Sequence, residues 1–333
     1  MKYVYKTSLI ALLTPALLIT LASCGGSIPG TTDSSSNPNS IASSSPSITP
    51  EITYSTANIL CNLNELIFNN DESVNANSSY GWTCNTQNRM LTGNGIPNHE
   101  VGTFPNTNNP NTIGIQTINK TFTNDPGTIS DIGVAAGGPN SVIAYALNSV
   151  KFEPGTAGTC SNSGSCSMSP PALGLWSIEA LGHDTFNFGD DMNHAHVQPG
   201  GAYHYHGVPE LYLTKLEKGK AMTLVGWAAD GFPVYARYGF TNANDSNSEV
   251  KIVKPSWKLK IIGDNGRPSI NLRTSKVIPM GAFTQDFEYV SGYGDLDQCN
   301  GRIGVTPEFP DGIYHYMVTD DFPFFSRCLK GKF

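Results

Sequence analysis

Beyond its first 23 residues the chain has no apolar run approaching the ~18 residues that a membrane-spanning helix needs, which excludes an integral membrane helix there. Charge is also scarce. Asp, Glu, Lys and Arg make up 14% of the chain, the net charge is −7, and no basic cluster occurs. Without a basic surface to neutralise phosphates, no nucleic-acid partner is expected. The chain contains no G-x-S-x-G, H-E-x-x-H, Walker loop or G-x-G-x-x-G sequence, so the hydrolase, zincin and nucleotide-binding readings have no motif behind them. No C-x-x-C pair occurs either, which argues against a thiolate metal site. Helix-forming runs are few.

What is abundant is Gly (34) and Pro (22), the composition of a loop-rich, exported β protein. The predicted fold is mainly β, with β-sandwich-like antiparallel sheets, long loops and few short helices. The N-terminus supports export. Lys2 and Lys6 form a basic start, and an apolar stretch from Leu9 to Leu21 follows. Leu21-Ala22-Ser23-Cys24 then resembles a bacterial lipobox, so residues 1–23 read as a lipoprotein signal with lipid attached at Cys24. Gly25 stands where Asp commonly retains such proteins in the inner membrane, which points to an outer-membrane-anchored envelope lipoprotein. The membrane, reached through that lipid, is the one partner expected. Residues 24–52, rich in Ser, Pro and Thr, form a flexible tether. Residues 53–333 remain as a single β domain.

Of the seven cysteines, one is assigned to lipid and six remain: Cys61, Cys84, Cys160, Cys166, Cys299 and Cys328. An even number in an oxidising compartment predicts disulfides, and proximity in sequence favours Cys61–Cys84, Cys160–Cys166 and Cys299–Cys328. Strands are expected within residues 113–122, 141–152, 221–228, 234–235, 257–262, 287–290 and 313–318, and the Asn-, Gly- and Pro-rich stretch through Asn111 reads mostly as loop.

The most informative stretch is His194-Ala195-His196-Val197-Gln198-Pro199-Gly200-Gly201-Ala202-Tyr203-His204-Tyr205-His206. In a strand, His-x-His places both rings on one face. Pro199-Gly200-Gly201 reads as a three-residue hairpin loop, a type I turn followed by a left-handed Gly. That register pairs His196 with His204 and His194 with His206, and turns Tyr203 and Tyr205 to the other face. Neutral imidazoles gathered this way suit a late transition metal, copper or zinc. The nearby carboxylates Glu179, Asp190 and Asp191 are candidates for ligands, for partners that orient the rings, or for a general base. A metal-free, hydrogen-bonded histidine cluster is the alternative. Gly312-Ile313-Tyr314-His315-Tyr316 echoes Gly201–Tyr205, which would make the two strands neighbours and bring His315 to the same site. Asp295-x-Asp297-x-x-Asn300-Gly301 has the wrong offsets for a calcium loop.

Tyr203-His204-Tyr205-His206, with Asn94–His99, Asp191–Asn193, Ala195–Pro199, Ala229–Pro233, Asp295–Arg302, Gly304–Glu308 and Thr319–Pro323, resembles the YHYH-domain family over roughly residues 90 to 331. The family has Asn where this chain has His194. The resemblance therefore implies a metal set of His99, His196, His204 and His206, with His315 a further member in a matched strand. It implies no reaction. A metalloenzyme, a metal carrier, and a surface module that binds glycan or protein through Tyr and Phe all remain open.

Overall fold

In the computed structural model the described residues are 54–129, 134–135 and 142–332. The signal, Cys24 and the tether lie outside them. Residues 50–333 form one compact unit. Among the described residues, no helix is long and apolar enough to cross a membrane.

The fold is mainly β, as its composition predicts. A four-stranded antiparallel meander comprises β1 (Leu63–Asn69), β2 (Ala76–Cys84), β3 (Asn88–Gly93) and β4 (Ile118–Thr123). An eight-stranded sheet comprises β5 (Ala144–Ala146), β6 (Lys151–Phe152), β7 (Ala195–Val197), β8 (Tyr203–Tyr205), β9 (Thr223–Ala228), β10 (Pro233–Ala236), β11 (Gly301–Gly304) and β12 (Ile313–Val318). Its order across the sheet is β7-β8-β6-β5-β9-β10-β12-β11. The short helix α1 spans Glu210–Leu216.

The two sheets share one core. Phe122 of β4 meets Tyr145 of β5 edge-on at 6.2 Å, and the buried Trp82 indole of β2 donates to the Leu147 carbonyl at 2.8 Å. Burying the indole ring while its N–H finds an acceptor avoids an unsatisfied donor. A satellite cluster around Trp176, Ile178, Phe186 and Phe283 lies under the long connections.

Two features depart from the expected pattern. First, β2 and β3 lie in the stretch that reads as loop. Their sequences are poor in branched apolar residues, and Ser78 takes a buried position by donating to the Ile96 carbonyl at 2.6 Å. Pairing on both sides of β2, rather than local propensity, makes it a strand. Second, the large sheet is mixed: β8 runs parallel to β6, and β10 runs parallel to β12. Parallel neighbours come from distant sequence and leave no hairpin signal.

The three disulfides form as proximity suggests, Cys61–Cys84, Cys160–Cys166 and Cys299–Cys328. The last closes 29 residues and ties the strand Cys328–Leu329 to the turn that precedes β11. Replacing Cys299 and Cys328 together by Ser should lower unfolding stability by about 2–4 kcal/mol, from the chain entropy restored to the unfolded state. Urea unfolding checks this, and an unchanged midpoint would contradict it.

Candidate metal centre

The hairpin forms in the predicted register: Ala195 opposes Tyr205, His196 opposes His204 and Val197 opposes Tyr203. Its loop is Pro199-Gly200-Gly201, closed by Gly201 N–H to the Gln198 carbonyl at 2.9 Å. The turn type differs from expectation. Gly200 has φ +93°, the mark of a type II turn with Pro first and Gly second. Gly201 follows at φ +88°, where a Cβ would lie 2.9 Å from the Gly114 nitrogen.

Alternation along β8 then separates two chemistries. On one face His196, His204 and His206 meet, with ring centroids 4.5, 4.6 and 4.7 Å apart. One ligand atom from each lies within 4.8 Å of the others. All three residues are buried, with 8%, 2% and 1% exposure respectively.

Each ring has its Nδ1 against an acceptor: the Asp190 carboxylate for His196 (2.7 Å), the Ala202 carbonyl for His204 (3.3 Å) and the Pro154 carbonyl for His206 (3.4 Å). A carbonyl only accepts, so these Nδ1 atoms carry the protons and the Nε2 atoms carry lone pairs. The Nε2 atoms of His196 and His206 face one another at 3.4 Å, a contact in which the tautomer decides whether a proton lies between them.

Phe188 lies against the His196 ring, stacked at 5.7 Å. Burial and the neighbouring His196, His206 and Lys151 hold the His204 imidazole well below its usual range. Burial and His196 push His206 down to about 3. Burial alone would raise the Asp190 carboxyl, but the His196 hydrogen bond and the charge of His206 hold it below its ordinary value.

One functional group was not legible in the sequence. Glu153 follows β6 directly, and β6 pairs parallel with β8 so that Lys151 opposes His204. The buried Glu153 carboxylate lies 4.0 Å from His204 Nε2. Its Oε2 also accepts from Lys151 Nζ at 2.7 Å and from the Gln198 side-chain amide. The only local hint is a Lys-x-Glu pair, same-faced by strand alternation, closing an apolar run.

The other predicted residues lie elsewhere. His99 sits on the tyrosine face of β8, with Nε2 to the Tyr205 hydroxyl at 2.6 Å and Nδ1 to the Glu100 carbonyl at 2.8 Å. Both ring nitrogens are thus engaged away from the triad. His194 opposes His206 through its backbone, as the register requires, its carbonyl accepting the His206 N–H at 2.7 Å. Its φ of +51°, however, turns its ring from the shared face, and Nδ1 donates to the Val208 carbonyl at 2.7 Å.

His315 lies on β12, with four strands between it and β8, so the echoed strands are not neighbours. At the usual strand spacing that separation is roughly 24 Å. Its Nδ1 donates to the Ile313 carbonyl at 3.1 Å, and burial with Arg302 nearby pushes it down to about 3.

Of the carboxylates, Asp190 alone holds a triad ring. Asp191 clamps the opposite face, accepting from the Tyr203 hydroxyl at 2.7 Å and the Gly102 N–H at 2.9 Å. Glu179 pairs with Arg327 at 2.7 Å. Asp297 caps its own turn by accepting from Cys299 N–H at 2.9 Å, and Asp295 pairs with Lys251 at 2.6 Å, so the Asp-rich stretch is a pinned loop.

The profile of the family described as YHYH protein matches residues 121–331. The chain belongs to the YHYH family. The match takes in the whole triad, Glu153 and Asp190. It begins after Asn94–His99, which the resemblance had included, and His99 stands apart in space as well. No curated protein and no solved structure matches the chain.

The depressed histidines make stability depend on pH. A histidine kept neutral in the fold but protonated near 6.5 when unfolded stabilises fully above 6.5, and that contribution is lost as pH falls toward its folded value. His99 is held at about 4, His206 and His315 at about 3, and His204 well below 6.5. The raised carboxyls of Asp191 and Asp230 act in the opposite sense, but these two groups oppose five depressed histidines, since burial lowers His183 as well. The metal-free protein should therefore lose stability steadily from pH 6.5 to pH 4.5 in urea unfolding. A midpoint that is flat or rising over that window would contradict the assignment.

Proposed function

We propose that this YHYH protein is a metal-binding envelope lipoprotein whose His196, His204 and His206 hold one copper or zinc ion. The observation that carries the reading is the approach of the His196 and His206 Nε2 atoms to 3.4 Å, with the Nδ1 of each ring against an acceptor and His204 completing the cluster. Two nitrogens bound about 2.05 Å from one tetrahedral ion stand about 3.3 Å apart. Without a cation or a shared proton the two lone pairs repel. Burial disfavours protonating His206 as the remedy.

Three protein ligands leave a further position open, the pattern of a site that acts on a bound molecule rather than one sealed for structure. An ion held there would polarise a solvent or substrate molecule at that position. Glu153, 4.0 Å from His204 Nε2 and paired with Lys151, would take a proton from such a molecule. Gln198 holds the carboxylate in place. Asp190 fixes the His196 ring and strengthens it as a donor. The lipid anchor at Cys24 and the outer-membrane address are part of the proposal and rest on the Leu21–Cys24 sequence and on Gly25 respectively.

The compact part of the chain, purified after growth with copper or zinc, should carry close to one equivalent of metal. His204→Ala with His206→Ala should remove it. Glu153→Gln should keep the stoichiometry while weakening affinity about 10- to 100-fold, as expected for a partner outside the ligand set. Less than a tenth of an equivalent at micromolar copper and zinc would overturn the proposal. Full loss of metal in Glu153→Gln would instead make Glu153 a ligand.

A further inference from the structure

A second site lies away from the triad. A cleft of about 650 Å³ opens between the ribbon formed by Trp257–Leu259 and Phe287–Tyr289 and the turn at Asp320–Phe324. That volume falls within the range of small-ligand sites. Its walls carry the partly exposed rings of Trp257, Phe287, Phe324 and Tyr293, the last 60% exposed.

These rings are held, not loose. The buried Phe322 stacks on Phe287 at 3.7 Å and 5° and meets Trp257 edge-on at 5.6 Å. The Trp257 indole donates to the Gln298 carbonyl at 3.1 Å. An exposed aromatic face preorganised this way marks a binding surface.

The charges at the cleft balance: Lys254 and Lys258 against Asp320 and Asp321. Asp320 is engaged by Arg237 at 2.8 Å, whereas Asp321 is exposed. Balanced charge selects against a strongly acidic or basic ligand. Flat rings beside an exposed carboxylate, with the Lys258 ammonium at the loose distance of 6.0 Å over the Tyr293 ring, suit a neutral molecule with apolar C–H faces and a rim of hydroxyls.

We infer that this cleft binds a neutral glycan, its sugar rings stacking on Trp257 and Tyr293 and its hydroxyls donating to Asp321. The inference does not depend on the metal proposal. Gly182 lines both the cleft and a cavity of about 440 Å³ bordered by Asp190, the carboxylate that holds His196. A Cβ on Gly182 would sit 3.4 Å from the Phe324 ring. A glycan longer than the cleft would extend past Gly182 toward Asp190.

Isothermal titration of the full chain, in a non-glycosidic detergent, with cellotetraose, chitotetraose and maltotetraose tests this. At least one tetrasaccharide should bind saturably. Trp257→Ala and Tyr293→Ala should each weaken it about tenfold, the scale of one lost stacking contact. Binding should persist in chelator-treated protein and in His204→Ala with His206→Ala, which separates this outcome from any failure of the metal proposal. If Trp257→Ala does not fold, the exposed Tyr293 carries the test. Saturation by none of the three, undiminished binding in Tyr293→Ala, or binding of reduced casein at the cleft in place of the sugars would overturn the inference.

Discussion

Three buried imidazoles, each with a ligand atom within 4.8 Å of the other two, are the constraint on which the rest of this structure depends. Each ring is held from behind, two by backbone carbonyls and one by a carboxylate, so none can turn its Nε2 away without breaking a hydrogen bond. Burial keeps His204 and His206 neutral, and ring nitrogens this close repel unless a proton or a cation lies between them. The site is therefore defined as much by what stands behind the rings as by the rings themselves.

The fold supplies those supports from three distant stretches. The hairpin of β7 and β8 brings the rings together, and its type II turn at Pro199-Gly200 sets the register. The parallel strand β6, some fifty residues earlier, delivers the Pro154 carbonyl, the Glu153 carboxylate and Lys151. On the reverse of β8, Tyr203 and Tyr205 are fixed by Asp191, His99 and Asn148. That second network is wholly on the core side, and it keeps β8 from rotating. His99 thus contributes to the strand's position rather than to the ligand set. The disulfides act at a distance, closing the ends of the chain around the two sheets.

How much of this was legible in the sequence follows from distance along the chain. The hairpin register could be read because a Pro-Gly-Gly loop has few conformations and strand alternation has a fixed period. The disulfide pairs could be read because each partner is near the other. Glu153 could not, because a parallel partner strand leaves no local trace. His194 misleads because the pattern of His-x-His is silent about its left-handed φ. His315 misleads because a repeated Gly-x-Tyr-His-Tyr describes a strand's alternation and not its place in the sheet order. The polar strands β2 and β3 read as loop because their pairing, not their residues, makes them strands.

The central claim concerns proton positions, and nitrogen-15 NMR of the metal-free protein reads those directly. The structure predicts that His196, His204 and His206 are all Nδ1–H tautomers, with three bare Nε2 resonances that shift together on adding one equivalent of zinc. Two or more of the three found as Nε2–H tautomers, or Nε2 resonances that do not move with zinc, would contradict it.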